Sequence, residues 1–126
     1  MKKNVVWVDD DMGAEYLVEI FDYYNLNLRT IRTLRDALSY KWGCDVSLVI
    51  IDMFMMIDAE LNENIDTMCA GEILLNEFHR ISFNAPVIVC TAASDRSLFY
   101  RLGLFKNVVD IFQKPVGHED ILKIIK

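Results

Sequence analysis

Five short runs rich in β-branched and aliphatic residues recur along the chain: Asn4–Val8, Leu28–Ile31, Val46–Ile51, Val87–Thr91 and Val108–Phe112. Each is long enough for one strand and too short for a helix. Between them the apolar residues take helical spacing. Ala14–Tyr24 places Leu17, Ile20, Phe21 and Tyr24 on one face, and Gly71–Ile81 does the same with Ile73, Leu74, Phe78 and Ile81. Leu34–Trp42 predicts a brief helix closed by Gly43, Ser94 predicts an N-cap for a helix running to Leu102, and His118–Lys126 predicts a last helix. Strict alternation of five strands and five helices predicts an α/β fold with a parallel sheet, because parallel strands need crossover helices and bury both of their faces. The most apolar run, VSLVII, then ends on a bare carboxylate, Asp52.

Composition excludes several classes. At 126 residues, 53% hydrophobic and 25% charged, the chain is long enough for one buried core and too apolar for disorder. The expected organisation is one domain over residues 1–126. No apolar run approaches the roughly 20 residues of a membrane span. The opening MKKNVVWVDDD brings three aspartates too early for a secretion signal, so a cytoplasmic location is expected. Cys44, Cys69 and Cys90 show no CxxC spacing and read as small buried hydrophobes. A net charge of −6 without any Lys/Arg cluster argues against direct nucleic-acid binding.

In such folds ligands bind beyond the carboxyl ends of the strands. After the first strand stand Asp9, Asp10 and Asp11; after the third, Asp52; after the fourth, Thr91 and Ala92; after the fifth, Lys114 and Pro115. Carboxylates gathered at one edge repel unless a cation sits among them, and oxygen donors with open positions suit Mg²⁺. An aspartate in that setting can attack a phosphoryl group. A lysine then neutralises the phosphoryl oxygens, and a threonine hydroxyl reads the product.

The motifs VVWVDDD, VIIDM, VIVCTAA and FQKPV, in that order at successive strand ends, resemble those of the receiver domain of two-component response regulators. The resemblance spans nearly the whole chain. It implies a flavodoxin-like, doubly wound sheet of order 2-1-3-4-5 between two helical layers. Carried over by position, it makes Asp52 the phosphoacceptor, Thr91 the hydroxyl and Lys114 the conserved lysine. Asp10 becomes a direct ligand of Mg²⁺ (or Mn²⁺), Asp9 a ligand through water, and Phe54 a ligand through its backbone carbonyl. The implied partners are a sensor histidine kinase or histidine phosphotransfer protein, a downstream effector, and a second copy docked through the fourth helix, fifth strand and fifth helix.

This sequence departs from the family pattern in three places. Between Asp52 and Gly71 lie 18 residues, an insertion over about 55–70 where roughly 2–6 would be usual, and it lacks the proline that commonly follows the acceptor. Ile111 stands where receivers carry a switch aromatic, and Phe112 cannot replace it, because neighbouring strand residues face opposite ways. Phe54 sets a bulky apolar side chain beside the acceptor, expected to shield an aspartyl phosphate from water. Two other readings are a pseudo-receiver that binds partners without phosphorylation, and a haloacid-dehalogenase-like phosphatase using Asp9 with Asp11. The second needs a further acidic motif after Lys114, where only Glu119 and Asp120 remain.

Overall fold

A computed structural model of the chain describes residues 3–10, 14–53, 70–91, 100–113 and 118–125. Along the chain run β1 (Lys3–Val8), α1 (Ala14–Tyr23), β2 (Leu26–Ile31), α2 (Leu34–Ser39), β3 (Val46–Asp52), α3 (Ala70–Arg80) and β4 (Val87–Thr91). A helical turn at residues 100–102, here α4, then precedes β5 (Val108–Gln113) and α5 (His118–Ile125). All strands are parallel and ordered β2-β1-β3-β4-β5, the doubly wound arrangement that the alternation and the resemblance imply. Among the described residues, no helix is long and apolar enough to cross a membrane.

The inner strands are apolar throughout because each buries two faces. Val6, Val8, Val49, Ile51, Val87 and Val89 point to one side, against Leu34, Ala37, Leu74, Leu75, Phe78 and Leu102 of α2, α3 and α4. Their neighbours Val5, Trp7, Ile50, Ile88 and Cys90 point to the other, against Leu17 and Phe21 of α1 and Ile124 of α5. The period of two along each strand thus divides the core into two layers.

Helix ends depart from the sequence expectation in instructive ways. α2 begins as its sequence suggests, with Thr33 Oγ1 accepting from the Asp36 N–H at 3.0 Å, but it stops at Ser39 rather than Trp42. Tyr40 is already extended. The Ala37 carbonyl accepts from the Tyr40 N–H at 3.4 Å and from the Trp42 indole at 2.8 Å, so a side chain closes the helix where Gly43 was expected to. Gly43 has no positive φ. Trp42 is buried in part because it swings back over Phe78, not because it continues the helix.

α3 ends at Arg80, which leaves Ile81 outside the buried stripe and 38% exposed, while Leu75 is fully buried. Its end is a Schellman motif: Phe83 donates to the Phe78 carbonyl at 2.8 Å, Ser82 to that of His79 at 3.2 Å, and the Phe78 and Phe83 rings lie 4.8 Å apart. The motif needs a left-handed residue, and Ser82 supplies it with φ 57°. A side chain there is strained, so Ser82→Gly is expected to raise unfolding free energy by about 0.5–1 kcal/mol after the glycine's unfolded-state entropy is subtracted. Urea denaturation checks this, with Ser82→Ala as a control that gains nothing. The same conformation after α1 falls on Asn25, φ 63°, a residue type that tolerates it.

The sheet edges are β2 and β5. β5 is thinly covered, with Val109 61% exposed, and the Ile111 N–H donates to Oδ1 of its own neighbour Asp110 at 2.8 Å.

Candidate functional site

Parallel strands deliver their carboxyl ends to one edge of the sheet, and register decides which residues meet there. Val8 pairs with Ile51 and Asp52 with Cys90. Asp9, the residue after Val8, is therefore level with Asp52, and Thr91, the residue after Cys90, lies one step beyond on the adjoining strand. The Asp9 N–H donates to the Ile31 carbonyl at 3.0 Å, which extends the β1–β2 ladder and fixes the aspartate's backbone. Asp9, Asp52 and Thr91 are buried and Asp10 half-buried.

One carboxylate oxygen from each of Asp9, Asp10 and Asp52 lies within 4.8 Å of the others. Three like charges at that spacing in a partly buried edge repel, and a hard divalent cation among them would relieve the repulsion. The donor set contains oxygen alone, without His or Cys, which fits Mg²⁺ or Mn²⁺ and not a softer metal. The cluster the sequence drew from the ends of two strands is thus brought together. Thr91 stands beside it, while Lys114, Phe54, Asp11 and the insertion lie outside the described residues.

The backbone leaving Asp52 is held from two sides. The Met53 N–H donates to the Cys90 carbonyl at 3.3 Å, and the Met53 carbonyl accepts from the Gly71 N–H at 3.1 Å. Gly71 sits in the first turn of α3, whose N–H groups have no partners within the helix, so this bond satisfies one of them. It also allows close approach: a Cβ on Gly71 would stand 2.6 Å from Met53 Sδ and 2.9 Å from Met53 Cα. Met53 itself is fully buried and fills the core beneath, as its apolar thioether suggests.

One pair was not anticipated. Glu72, only 5% exposed, receives both ends of the Arg101 guanidinium, Nη2 to Oε1 at 3.0 Å and Nε to Oε2 at 3.1 Å. The signal was present, since Glu72 lies one helical turn before the buried Leu75 and so falls inside the buried arc of α3. Two other expectations divide. Ile111 packs with the α2/α3 layer and Phe112 with the α1/α5 layer, so the phenylalanine does face away from the isoleucine's side. Cys90 is buried as expected, but Cys44 is exposed, because it sits in the turn that leads into β3 rather than within a strand.

No protein-family model and no curated protein matches the chain. Solved structures do. A signal receiver domain from Vibrio parahaemolyticus superposes with a TM-score of 0.77 at 19% identity, covering 99% of this chain and 88% of its own. The non-phosphorylated HemR receiver domain from Leptospira biflexa gives 0.76 at 17%, covering 98% and 94%. A response regulator receiver protein from Pseudomonas putida gives 0.73 at 19%, covering 99% and 96%. At these identities the likeness speaks to architecture: the chain has the fold of response regulator receiver domains.

Proposed function

We propose that this receiver fold works as a phosphoacceptor, with residues 1–126 forming one receiver domain that takes a phosphoryl group onto Asp52 from the phosphohistidine of a sensor kinase or phosphotransfer protein. The observation that carries the reading is the meeting of the Asp9, Asp10 and Asp52 carboxylates within 4.8 Å at the carboxyl edge of the sheet. With the other ring nitrogen of the phosphohistidine protonated, an Asp52 oxygen attacks phosphorus, the P–N bond breaks and its electron pair stays on the imidazole nitrogen, giving an aspartyl phosphate and a neutral histidine that keeps that proton. Asp9, Asp10, Asp52 and the Phe54 carbonyl would hold Mg²⁺ or Mn²⁺, which when bound offsets charge on the phosphoryl oxygens. In this reading the Thr91 hydroxyl, one step beyond Cys90 on the strand beside Asp52, reads the modified acceptor, and Lys114 adds a second positive charge. The output is a change of conformation read by an effector or a second copy in the cytoplasm.

The test is intact mass after incubation with Mg²⁺ and acetyl phosphate, beside an Asp52→Asn control. The expected result is a gain of one phosphoryl group that is absent from the control. No gain in either protein would leave a partner-binding module that is not phosphorylated, and a gain that survives the substitution would move the chemistry to Asp9.

A further inference from the structure

Among the described residues the buried acids are Asp9, Asp52 and Glu72, and Glu72 stands outside the carboxylate cluster. Its bond to Arg101 is a two-pronged fork across 29 residues of chain, joining the first turn of α3 to α4. Glu72 is buried but the Arg101 side chain keeps 43% of its surface in solvent, so the pair is only partly desolvated and water screens much of its contribution to stability. What the fork does supply is a fixed geometry, because a guanidinium donates both its bonds to a carboxylate in one planar arrangement.

The thing held in place is next door. Gly71 adjoins Glu72, its N–H grips the Met53 carbonyl, and Met53 follows Asp52 directly. Met53 is tied in turn to Cys90, the residue before Thr91. A short mechanical path therefore leads from Arg101 through Glu72 and Gly71 to the peptide that leaves the acceptor. We infer that Arg101 is a positioning residue for the acceptor site: through Glu72 it fixes the first turn of α3 against Met53 and so sets the backbone beside Asp52 for metal binding and phosphoryl acceptance. The inference rests on the phosphoacceptor reading and adds a residue that touches neither metal nor phosphoryl group.

Two variants test it, Arg101→Lys, which keeps the charge and loses the fork, and Glu72→Leu combined with Arg101→Met, which keeps the pair packed without charge. Amide hydrogen exchange is followed by NMR in the metal-free protein at Gly71 and, as a remote reference, at Val6 in β1. Mg²⁺ is then titrated against each protein. The expected result is faster exchange at Gly71 with Val6 unchanged, and an Mg²⁺ Kd weakened about tenfold or more in both variants, the effect usual for residues that orient metal ligands. Wild-type Kd and Gly71 exchange in the variants would overturn the inference, as would a parallel rise at Gly71 and Val6, which marks a general loss of stability. A wild-type protein with no saturable Mg²⁺ response would overturn the phosphoacceptor reading itself and the inference with it.

Discussion

Phe78→Ala lowers the unfolding free energy by about 3–5 kcal/mol, the range for deleting a fully buried phenylalanine and leaving a cavity behind. Phe78 has no exposed surface and meets Trp42 edge-on at 4.7 Å and Phe83 at 4.8 Å, so its removal also costs two ring contacts. Trp42 and Phe83 are themselves 5.4 Å apart, and Tyr40 lies 4.8 Å from Trp42, which makes the site a cluster of rings rather than one isolated side chain. Domains of this size carry about 5–15 kcal/mol in total, so the variant is expected to sit near the edge of folding. Urea denaturation gives the number. Phe78→Leu, which refills much of the volume, should recover more than half of it; a loss below about 1 kcal/mol for the alanine would mean that the cluster collapses into the hole, contrary to the usual partial relaxation.

Gly71→Ala should destabilise the fold by about 1–3 kcal/mol, the usual cost of forcing a methyl group into a filled space, even though alanine is the better helix former. Two atoms of Met53, Sδ and Cα, would stand closer than 3.0 Å to the new methyl, and they differ in kind. Sδ belongs to a flexible thioether that can turn aside. Cα belongs to the backbone one residue after Asp52 and moves only if the end of the Asp52 strand moves with it. The damage is therefore expected to reach the carboxylate cluster, with weaker Mg²⁺ binding alongside the lower stability. Combining Gly71→Ala with Met53→Ala separates the two causes. Removing the thioether should not restore Mg²⁺ affinity if the backbone contact dominates, and full recovery would assign the whole effect to Sδ.

The parts of this fold that were legible in the sequence are those where one physical demand acts alone. β3 and β4 must be apolar on both faces, and their runs marked them with little ambiguity. β2 starts two residues earlier than its apolar run suggests because Leu26–Ile31 lies at an edge and alternates between half-buried and exposed residues. The end of α2 was misread because Trp42 is apolar at helical spacing, yet its indole reaches back from an extended segment, which no periodicity reveals. Asp9, Asp10 and Asp52 could be drawn together in advance because strand ends in a parallel sheet share one edge, so topology did the work of distance. Glu72 could not be matched to Arg101 that way. Their pairing depends on how α3 and α4 pack, and a helix wheel shows only that a charge faces inward.

The Asp110 carboxylate that engages the Ile111 N–H bears on how the protein behaves when concentrated. A strand at the rim of a sheet offers a template to any other extended chain, and an exposed valine beside it adds a sticky surface. Here one of the amide groups needed for such templating is already occupied, and by a negative charge that an incoming strand would have to bury. A strand pairing along this rim would have to displace or bury that carboxylate, which disfavours edge-to-edge extension of the sheet at β5 although the strand is thinly covered.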